Sequence, residues 1–178
     1  MKKIEKLTVI QSAIEGSQLC SCNFVYENDL YYYYPISVTD KFLLAQEEDD
    51  FILDGYAIRK ISQLKNVSVV NNACQEINKL TGLTNKVVKP AVDLTDWQSI
   101  FVSLQAIDTF VIIEDEYNDF FVIGKIKKAL KNKLYFEDFD ANGNWNEQEL
   151  EIPYSAITCV KWNTRYDTYW KKYLDSIK

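Results

Sequence analysis

The stretch Asn132-Lys133-Leu134-Tyr135-Phe136 decides the fold, because Asp40-Lys41-Phe42-Leu43-Leu44 is its counterpart earlier in the chain. Further along, Tyr154-Ser155-Ala156-Ile157-Thr158-Cys159-Val160 follows the pattern of Ile61-Ser62-Gln63-Leu64-Lys65-Asn66-Val67. The two matches occur in the same order and at nearly the same offset. Self-similarity at a fixed offset is typical of repeated structural units. The sequence therefore predicts a duplicated unit.

A third match supports the same division of the chain. The segment Tyr117-Asn118-Asp119-Phe120 matches Tyr26-Glu27-Asn28-Asp29-Leu30, again in the same order and at nearly the same offset. We therefore predict two tandem copies, residues 1–85 and residues 92–178. Residues 81–92 have no clear hydrophobic period and are predicted to be the linker.

Each copy is predicted to open with a helix. In the second copy, apolar residues recur at helical spacing and face a core, and a capping box precedes them. The first copy has a weaker apolar set that ends at a glycine. The residues concerned are Thr95 and Gln98 for the box, Trp97, Ile100, Phe101 and Leu104 for the second copy, and Leu7, Ile10, Ile14 and Gly16 for the first.

Each copy is also predicted to close with a helix. Thr164 and Asp167 form a capping box ahead of aromatic residues at helical spacing. That aromatic stripe consists of Tyr166, Tyr169, Trp170 and Tyr173, and its equivalent in the first copy is Ala73, Ile77 and Leu80.

Between the helices the pattern is that of β-strands. Residues 110–113, 120–130, 133–139 and 150–162 are rich in β-branched and aromatic side chains, and Asn, Asp and Gly turns separate them. We expect about five short strands per copy. The predicted fold class is mainly β with short helices (α+β), a tandem repeat of a small helix-plus-five-strand unit.

This arrangement resembles the small Sm-like or SH3-like β-barrel. More closely, Phe120-Phe121-Val122-Ile123-Gly124-Lys125-Ile126, an Asp/Gly hairpin, the Tyr154–Thr158 segment and Arg165-Tyr166 look like a group of uncharacterised bacterial proteins. The resemblance covers most of residues 95–174 and, more loosely, residues 4–80. It implies a fold and no activity, because fold alone does not carry function. Sm proteins bind uridine through an Asp-x-x-x-Asn loop and an Arg-Gly loop, and neither Arg59 nor Arg165 is followed by Gly.

Composition excludes several classes of function. The chain of 178 residues has no His, which removes the commonest general base near neutral pH and every Ser-His or Cys-His nucleophile. We therefore predict that it is not an enzyme and uses no cofactor. No apolar run approaches the length of a membrane helix and no secretory signal opens the chain, so we expect a cytoplasmic protein that does not contact membranes. The four cysteines, which include no Cys-x-x-Cys, are predicted to be reduced and structural.

One motif matches the calcium loop of an EF-hand. Asp138, Asp140, Asn142, Gly143 and Glu149 satisfy D-x-[DN]-x-[DN]-G-x5-E, and Asn144 also offers an oxygen. An EF-hand needs a helix on each side, however, and the flanking residues follow strand patterns. We predict a β-hairpin turn whose carboxylates do not converge on one ion.

Acidic and aromatic residues predict a protein partner. Alternation along a strand sends Tyr31 and Tyr33 to one face and Tyr32 and Tyr34 to the other, which leaves two tyrosines near the surface. Glu48 and Asp49 add acidic charge close by. The predicted function is therefore that of a non-catalytic protein-binding protein, of adaptor or immunity type, whose first copy carries an acidic, aromatic surface suited to a basic partner.

The alternative is a calcium-binding or nucleic-acid-binding Sm-like barrel. One basic stretch could contact phosphates, but a net charge of −6 repels a polyanion at long range. That stretch contains Lys125, Lys127, Lys128, Lys131 and Lys133.

Overall fold

The computed structural model describes residues 1–26 and 29–177. The chain divides into two compact units, Met1–Pro90 and Ala91–Lys178, and their boundary lies inside the segment predicted to be the linker. That segment includes a single 3-10 turn, Thr84–Lys86. Glu27 and Asn28, which belong to the third sequence match, lie outside the described residues.

The first unit is a helix, five strands and a second helix. Its elements are α1 (Lys3–Glu15), β1 (Cys20–Phe24), β2 (Leu30–Val38), β3 (Phe42–Asp49), β4 (Ile52–Lys60), β5 (Leu64–Val69) and α2 (Ala73–Leu80). Within this unit the strands are hydrogen-bonded in the order β5-β1-β2-β3-β4, and each pair is antiparallel.

The second unit has the same sequence of elements. They are α3 (Trp97–Ile107), β6 (Val111–Asp115), β7 (Phe120–Ala129), β8 (Lys133–Asp138), β9 (Leu150–Pro153), β10 (Cys159–Trp162) and α4 (Arg165–Ser176). The order of pairing inside this unit is β10-β6-β7-β8-β9, again antiparallel throughout. The last strand of each unit thus lies against the first strand of that unit.

The two units also agree in strand register. Cys20 pairs with Tyr33 in the first unit, and Val111 pairs with Gly124 at the corresponding place in the second. The second strand of each unit has an irregularity against the third, between Pro35 and Ser37 and between Ile126 and Lys128. Such a bulge bends its strand and raises the local twist. Both sheets therefore bend at the same step along the second strand.

The prediction of an α+β fold is confirmed, but the predicted closed barrels are not seen. Among the described residues, β4 does not pair with β5 and β9 does not pair with β10, so the five strands of neither unit form a complete ring of hydrogen bonds. The predicted continuous strand at residues 150–162 is in fact two strands separated by a turn. Chain reversal after Pro153 explains the break, because Pro lacks the N–H that a strand interior needs.

Helix α3 begins one residue later than its predicted capping box requires. The Asp96 carboxylate, not the Thr95 hydroxyl, caps the helix by accepting from the Ser99 backbone N–H at 2.8 Å. Thr95 instead donates its hydroxyl to Asp93. In α4 the predicted cap is correct, since the Thr164 hydroxyl accepts from the Asp167 N–H at 3.2 Å.

Helix α2 faces the opposite way from its apolar pattern. Leu80 is 86% exposed, whereas Gln75 and Asn78 are buried. Gln75 is buried because its side-chain oxygen accepts from the Leu19 backbone N–H at 2.8 Å, which holds the polar face against the sheet. The Gln75 side-chain nitrogen is buried without a hydrogen-bond partner among the described residues, so this bond offsets only part of the cost of burying the amide.

Each unit has its own apolar core. In the first unit one cluster joins Leu19, Tyr34, Val70 and Leu83, and in the second a cluster joins Phe110, Ile112, Ile123, Phe139 and Leu174. Stacked aromatic rings fasten α3 to its sheet, with Phe101 5.6 Å from Trp97 and 5.5 Å from Tyr154. In the part of the chain that the structure describes, no helix is long and apolar enough to span a membrane.

Candidate functional site

The four consecutive tyrosines of β2 do not form the predicted surface. Tyr33 and Tyr34 are both buried, Tyr31 is half-buried, and only Tyr32 is exposed, by 37%. Alternation predicted that one pair, Tyr31 with Tyr33 or Tyr32 with Tyr34, would lie near the surface. Instead each pair has one buried member, because side chains cover both faces of β2. Tyr34 packs against Leu19 and Val70 on one face, and Tyr33 lies in an aromatic cluster on the other.

That cluster surrounds a buried arginine. The Arg59 guanidinium lies 4.8 Å from the ring centre of Phe24 and 4.7 Å from that of Tyr31. Its Nε donates to the Tyr33 hydroxyl at 3.2 Å, and a terminal nitrogen donates to the Tyr26 hydroxyl at 2.9 Å. Tyr31 and Tyr33 therefore hold a cation inside the unit.

Glu48 also has an internal role. Its carboxylate accepts from the Phe51 backbone N–H at 2.9 Å and from the Asn78 side chain at 3.3 Å. Asp50 and Phe51 have positive φ angles of 49° and 67°, so Glu48 stabilises a tight turn between β3 and β4. Of the predicted partner-binding residues, Tyr32 and Asp49 are the exposed ones.

Exposed aromatic side chains concentrate instead in the second unit, along α4. Tyr166 and Tyr169 are 50% and 67% exposed, and Tyr173 is exposed too. Phe121 of β7, 50% exposed, contacts the Tyr166 ring edge-on at 5.7 Å. We call Phe121, Tyr166, Tyr169, Trp170 and Tyr173 the aromatic face.

The hairpin loop between β8 and β9 lies next to the aromatic face. With α4 it encloses an open groove of about 570 Å³, to which Ala141 and Asn142 contribute. Leu174, Asp167 and the partly buried Trp170 face the core of the unit, so the three tyrosines point outward. A helix at the surface buries only one stripe, and here that stripe contains Trp170 but none of the tyrosines.

An acidic turn adjoins the aromatic face at Phe121. It joins β6 to β7, and we define it as residues 114–119, with the acidic residues Glu114, Asp115, Glu116 and Asp119. Tyr117 on this turn is 59% exposed. The sequence predicted an acidic, aromatic surface in the first copy. In the structure, the exposed aromatic side chains next to acidic residues lie in the second unit.

The loop that matches the EF-hand pattern is the tip of a β-hairpin. Asp140 accepts from the backbone N–H groups of Asn142 and Asn144 at 2.8 and 2.9 Å. These bonds, led by the one from Asn144, lower the pKa of the Asp140 carboxyl below its ordinary value. Gly143 takes a positive φ of 83°, as the position after a type I turn requires.

Turn chemistry thus accounts for most of the motif. The Asn146 side chain donates a hydrogen bond at 2.8 Å to the carboxylate of Asp138, which lies at the end of β8. Strands β8 and β9 flank the loop where an EF-hand has helices. Within residues 1–26 and 29–177, no group of three or more His, Cys, Asp or Glu side chains lies close enough to hold a metal ion.

The basic stretch is largely balanced by carboxylates. Three of its lysines form ion pairs, at distances of 2.8 to 3.7 Å: Lys125 with Asp108, Lys127 with Glu137 and Lys133 with Glu151. Pairing of this kind leaves less net positive charge for a phosphate backbone.

The cysteines are all reduced. Cys20, Cys22 and Cys159 are buried, and Cys74 is half-buried. Burial raises the pKa of the Cys20 thiol to about 12 and raises that of Cys22 as well. Neither thiol is therefore a nucleophile near neutral pH, since reactivity follows the thiolate.

Comparison with known proteins adds no relative. No family model, no curated protein and no solved structure matches the chain. Its function must be argued from its own surfaces.

Proposed function

We propose that the chain is a non-catalytic protein-binding protein, of adaptor or immunity type, whose binding surface is the aromatic face together with the acidic turn. The observation that carries this proposal is the exposure of four neighbouring aromatic side chains, Phe121, Tyr166, Tyr169 and Tyr173. Such residues are enriched in protein interfaces, where rigid rings with polar tips bury a large area at low entropic cost. Placing them outward loses stabilisation that burial would give.

The acidic turn determines which charge on a partner this surface favours. Of the four acidic residues within residues 114–119, Asp119 is exposed and Glu116 is half-buried, whereas Glu114 pairs with Lys161 and Asp115 is buried. The whole chain has a net charge of −6. Charge of one sign steers a partner of the opposite sign and rejects others. The proposed partner is accordingly a basic protein. A cytoplasmic location and the absence of catalysis remain parts of this proposal.

The proposal includes the origin of the fold. The shared order of elements, strand pairing and bulge position support two tandem copies of one unit with the strand order of Sm-like and SH3-like proteins. On this proposal the copies have diverged, so that the second carries the interaction surface. The first keeps its tyrosines for an internal arginine.

Replacement of the aromatic face tests the function. The double variant Phe121→Ser and Tyr169→Ser is expected to lose capture of the native partner in a pull-down from the host organism. Both side chains are exposed, so the melting temperature should move little. Tyr32→Ser is the matched control, because it removes an exposed tyrosine from the first unit.

Two outcomes would contradict the proposal. Capture that survives the double variant would place the interface elsewhere, and loss of capture with Tyr32→Ser alone would return it to the first unit. Thermal melting with and without calcium separates the calcium-binding alternative, which requires a rise in melting temperature when the ion binds.

A further inference from the structure

A small cavity lies beside the acidic turn in the second unit. Its volume is about 230 Å³, and it is bounded by the β6–β7 turn and by the segment that joins β9 to β10. Ile113, Ile152 and Ile157 give it apolar walls. Three acidic residues, Glu114, Asp115 and Glu151, also line it.

The three carboxylates differ in how they are balanced. Glu114 pairs with Lys161 at 3.3 Å, and Glu151 pairs with Lys133 at 2.8 Å. Asp115 accepts hydrogen bonds from the Tyr117 backbone N–H and the Asn118 side chain, at 3.2 and 2.6 Å, and both donors are neutral.

Asp115 therefore brings an unbalanced charge to the wall of the cavity. Asp115 is only 6% exposed. A buried carboxylate is costly unless it is paired as well as hydrogen-bonded. The hydrogen bonds satisfy only part of its acceptor capacity, because each carboxylate oxygen has two lone pairs. A cation entering the cavity would find an acceptor already oriented by two fixed donors.

The size of the cavity limits what enters it. Sites for small molecules usually measure roughly 300–1,000 Å³, so 230 Å³ suits a single side chain better than a whole ligand. Apolar walls with an acidic end match a side chain that has a methylene stem and a charged head. Lysine and arginine have that form.

We infer that this cavity is a socket for one lysine or arginine side chain of the protein partner. The inference rests on the proposed function, since it assumes that a basic partner docks on the adjoining surface. It adds a specificity determinant: Asp115 receives the cationic head, and Ile113, Ile152 and Ile157 contact the stem.

Amide chemical shifts of the full chain test the socket with small probes. N-acetyl-lysine methylamide is expected to shift the amide signals of Tyr117, Asn118 and Ala156 in a saturable way. The norleucine analogue has the stem without the charge and should bind about tenfold more weakly, since a charge-assisted hydrogen bond contributes most of the difference. The arginine analogue should behave like the lysine probe. Equal affinity for lysine and norleucine would overturn the inference, as would shifts confined to other residues.

Variants give a second readout. Asp115→Asn is expected to weaken the lysine probe about tenfold. Asp175→Asn makes the same charge change at an exposed position of the same unit, outside both the cavity lining and the acidic turn, and should leave the affinity unchanged. If Asp115→Asn does not fold, Glu151→Gln replaces it and should weaken the lysine probe about threefold. Unchanged lysine affinity in the variant that is measured would contradict the socket.

The two proposals fail in different ways. If the probe does not bind but partner capture depends on the aromatic face, the socket is wrong and the proposed function stands. If the probe binds as expected but capture ignores Phe121 and Tyr169, the proposed function is wrong and the cavity is a cation site without that partner.

Discussion

At the residue scale, Arg59 shows how a charge is kept inside the first unit. Its guanidinium lies over the rings of Phe24 and Tyr31, which meet edge-on, and reaches two tyrosine hydroxyls. Stacking on an aromatic ring contributes about 0.5–2 kcal/mol, depending on desolvation. The planar, forked shape of arginine allows stacking and directed hydrogen bonds at once, which the ammonium group of lysine does not.

Arg59→Lys is therefore expected to lower the free energy of unfolding by about 2 kcal/mol, because the charge stays buried while the directed hydrogen bonds are lost. Urea denaturation measures the change. Lys65→Arg, on an exposed position of β5, is the control and should change the free energy by less than about 0.5 kcal/mol. An Arg59→Lys variant as stable as the control would show that the cluster does not need the guanidinium.

Asp167 is a second buried charge, in the first turn of α4. Burial raises the pKa of its carboxyl from the ordinary 3.8 to about 6, against the lowering effect of hydrogen bonds near Thr164 and Thr168. The folded state therefore binds the proton more tightly than the unfolded state does. The free energy of unfolding is then highest below pH 3.8, as far as this group contributes, and falls as the pH rises to about 6.

We expect Asp167 to lower the free energy of unfolding by about 2–3 kcal/mol across that interval. Asp167→Asn removes the titration, so the difference in stability between the variant and the wild type should grow from pH 4 to pH 6 in favour of the variant. Urea denaturation at several pH values measures it. Asp175→Asn, on an exposed position of the same helix, should keep the wild-type pH dependence. A parallel shift of both curves would contradict the role of Asp167.

At the element scale, the β8–β9 hairpin supports α4. Gly143 has a positive φ of 83°, and a side chain there would approach the Tyr173 ring to 2.9 Å. The glycine is thus required both by the turn and by the helix that packs over it. This contact couples the loop to the aromatic face.

Gly143→Ala is expected to destabilise the protein more than Gly82→Ala. Both glycines have positive φ angles, so both variants incur a backbone cost of about 1 kcal/mol, but nothing lies within 4 Å of a side chain at Gly82. The Gly143 variant must also displace Tyr173. Thermal melting of the two variants measures the difference in stability. Equal melting temperatures would show that the close packing of Tyr173 over Gly143 contributes nothing to it.

The elements also show what the sequence could predict. Helix and strand positions follow from spacing and turn residues, and the predicted α+β class is confirmed. The face that each helix buries does not follow, because Ile77 and Leu80 are as apolar as core residues, yet Gln75 occupies the core through its bond to Leu19. Tertiary hydrogen bonds of this kind leave no periodic signal.

The candidate site was harder to predict for the same reason. Tyr166, Tyr169 and Tyr173 have the spacing of a core stripe, and only the burial of Leu174 and Asp167 on the other side of α4 turns them outward. Tyr33 and Tyr34 of β2, which were predicted to include a surface residue, are buried instead. Arg59 and the cluster around Tyr34 cover the two faces of that strand. The sequence predicted that the first copy carries the acidic, aromatic surface, whereas the exposed aromatic side chains lie along α4 of the second unit.

At the scale of the whole molecule, two units with one strand order and one register have different surfaces. The first has a tight β3–β4 turn held by Glu48, and the second has a long hairpin that borders an aromatic groove. If the two units are copies of one ancestral unit, as proposed above, then their surfaces have diverged while both keep the fold. On the proposed function, the acidic turn selects the charge of the partner.

Hydrogen–deuterium exchange of the chain alone and with its captured partner distinguishes which unit binds the partner. We expect slower exchange on complex formation in residues 114–121 and 165–173, which contain the acidic turn and the aromatic face. Residues 30–34, which contain the four tyrosines of β2, and residues 47–50, which contain Glu48 and Asp49, should exchange at unchanged rates. Protection confined to those two segments, with none at residues 165–173, would contradict the account.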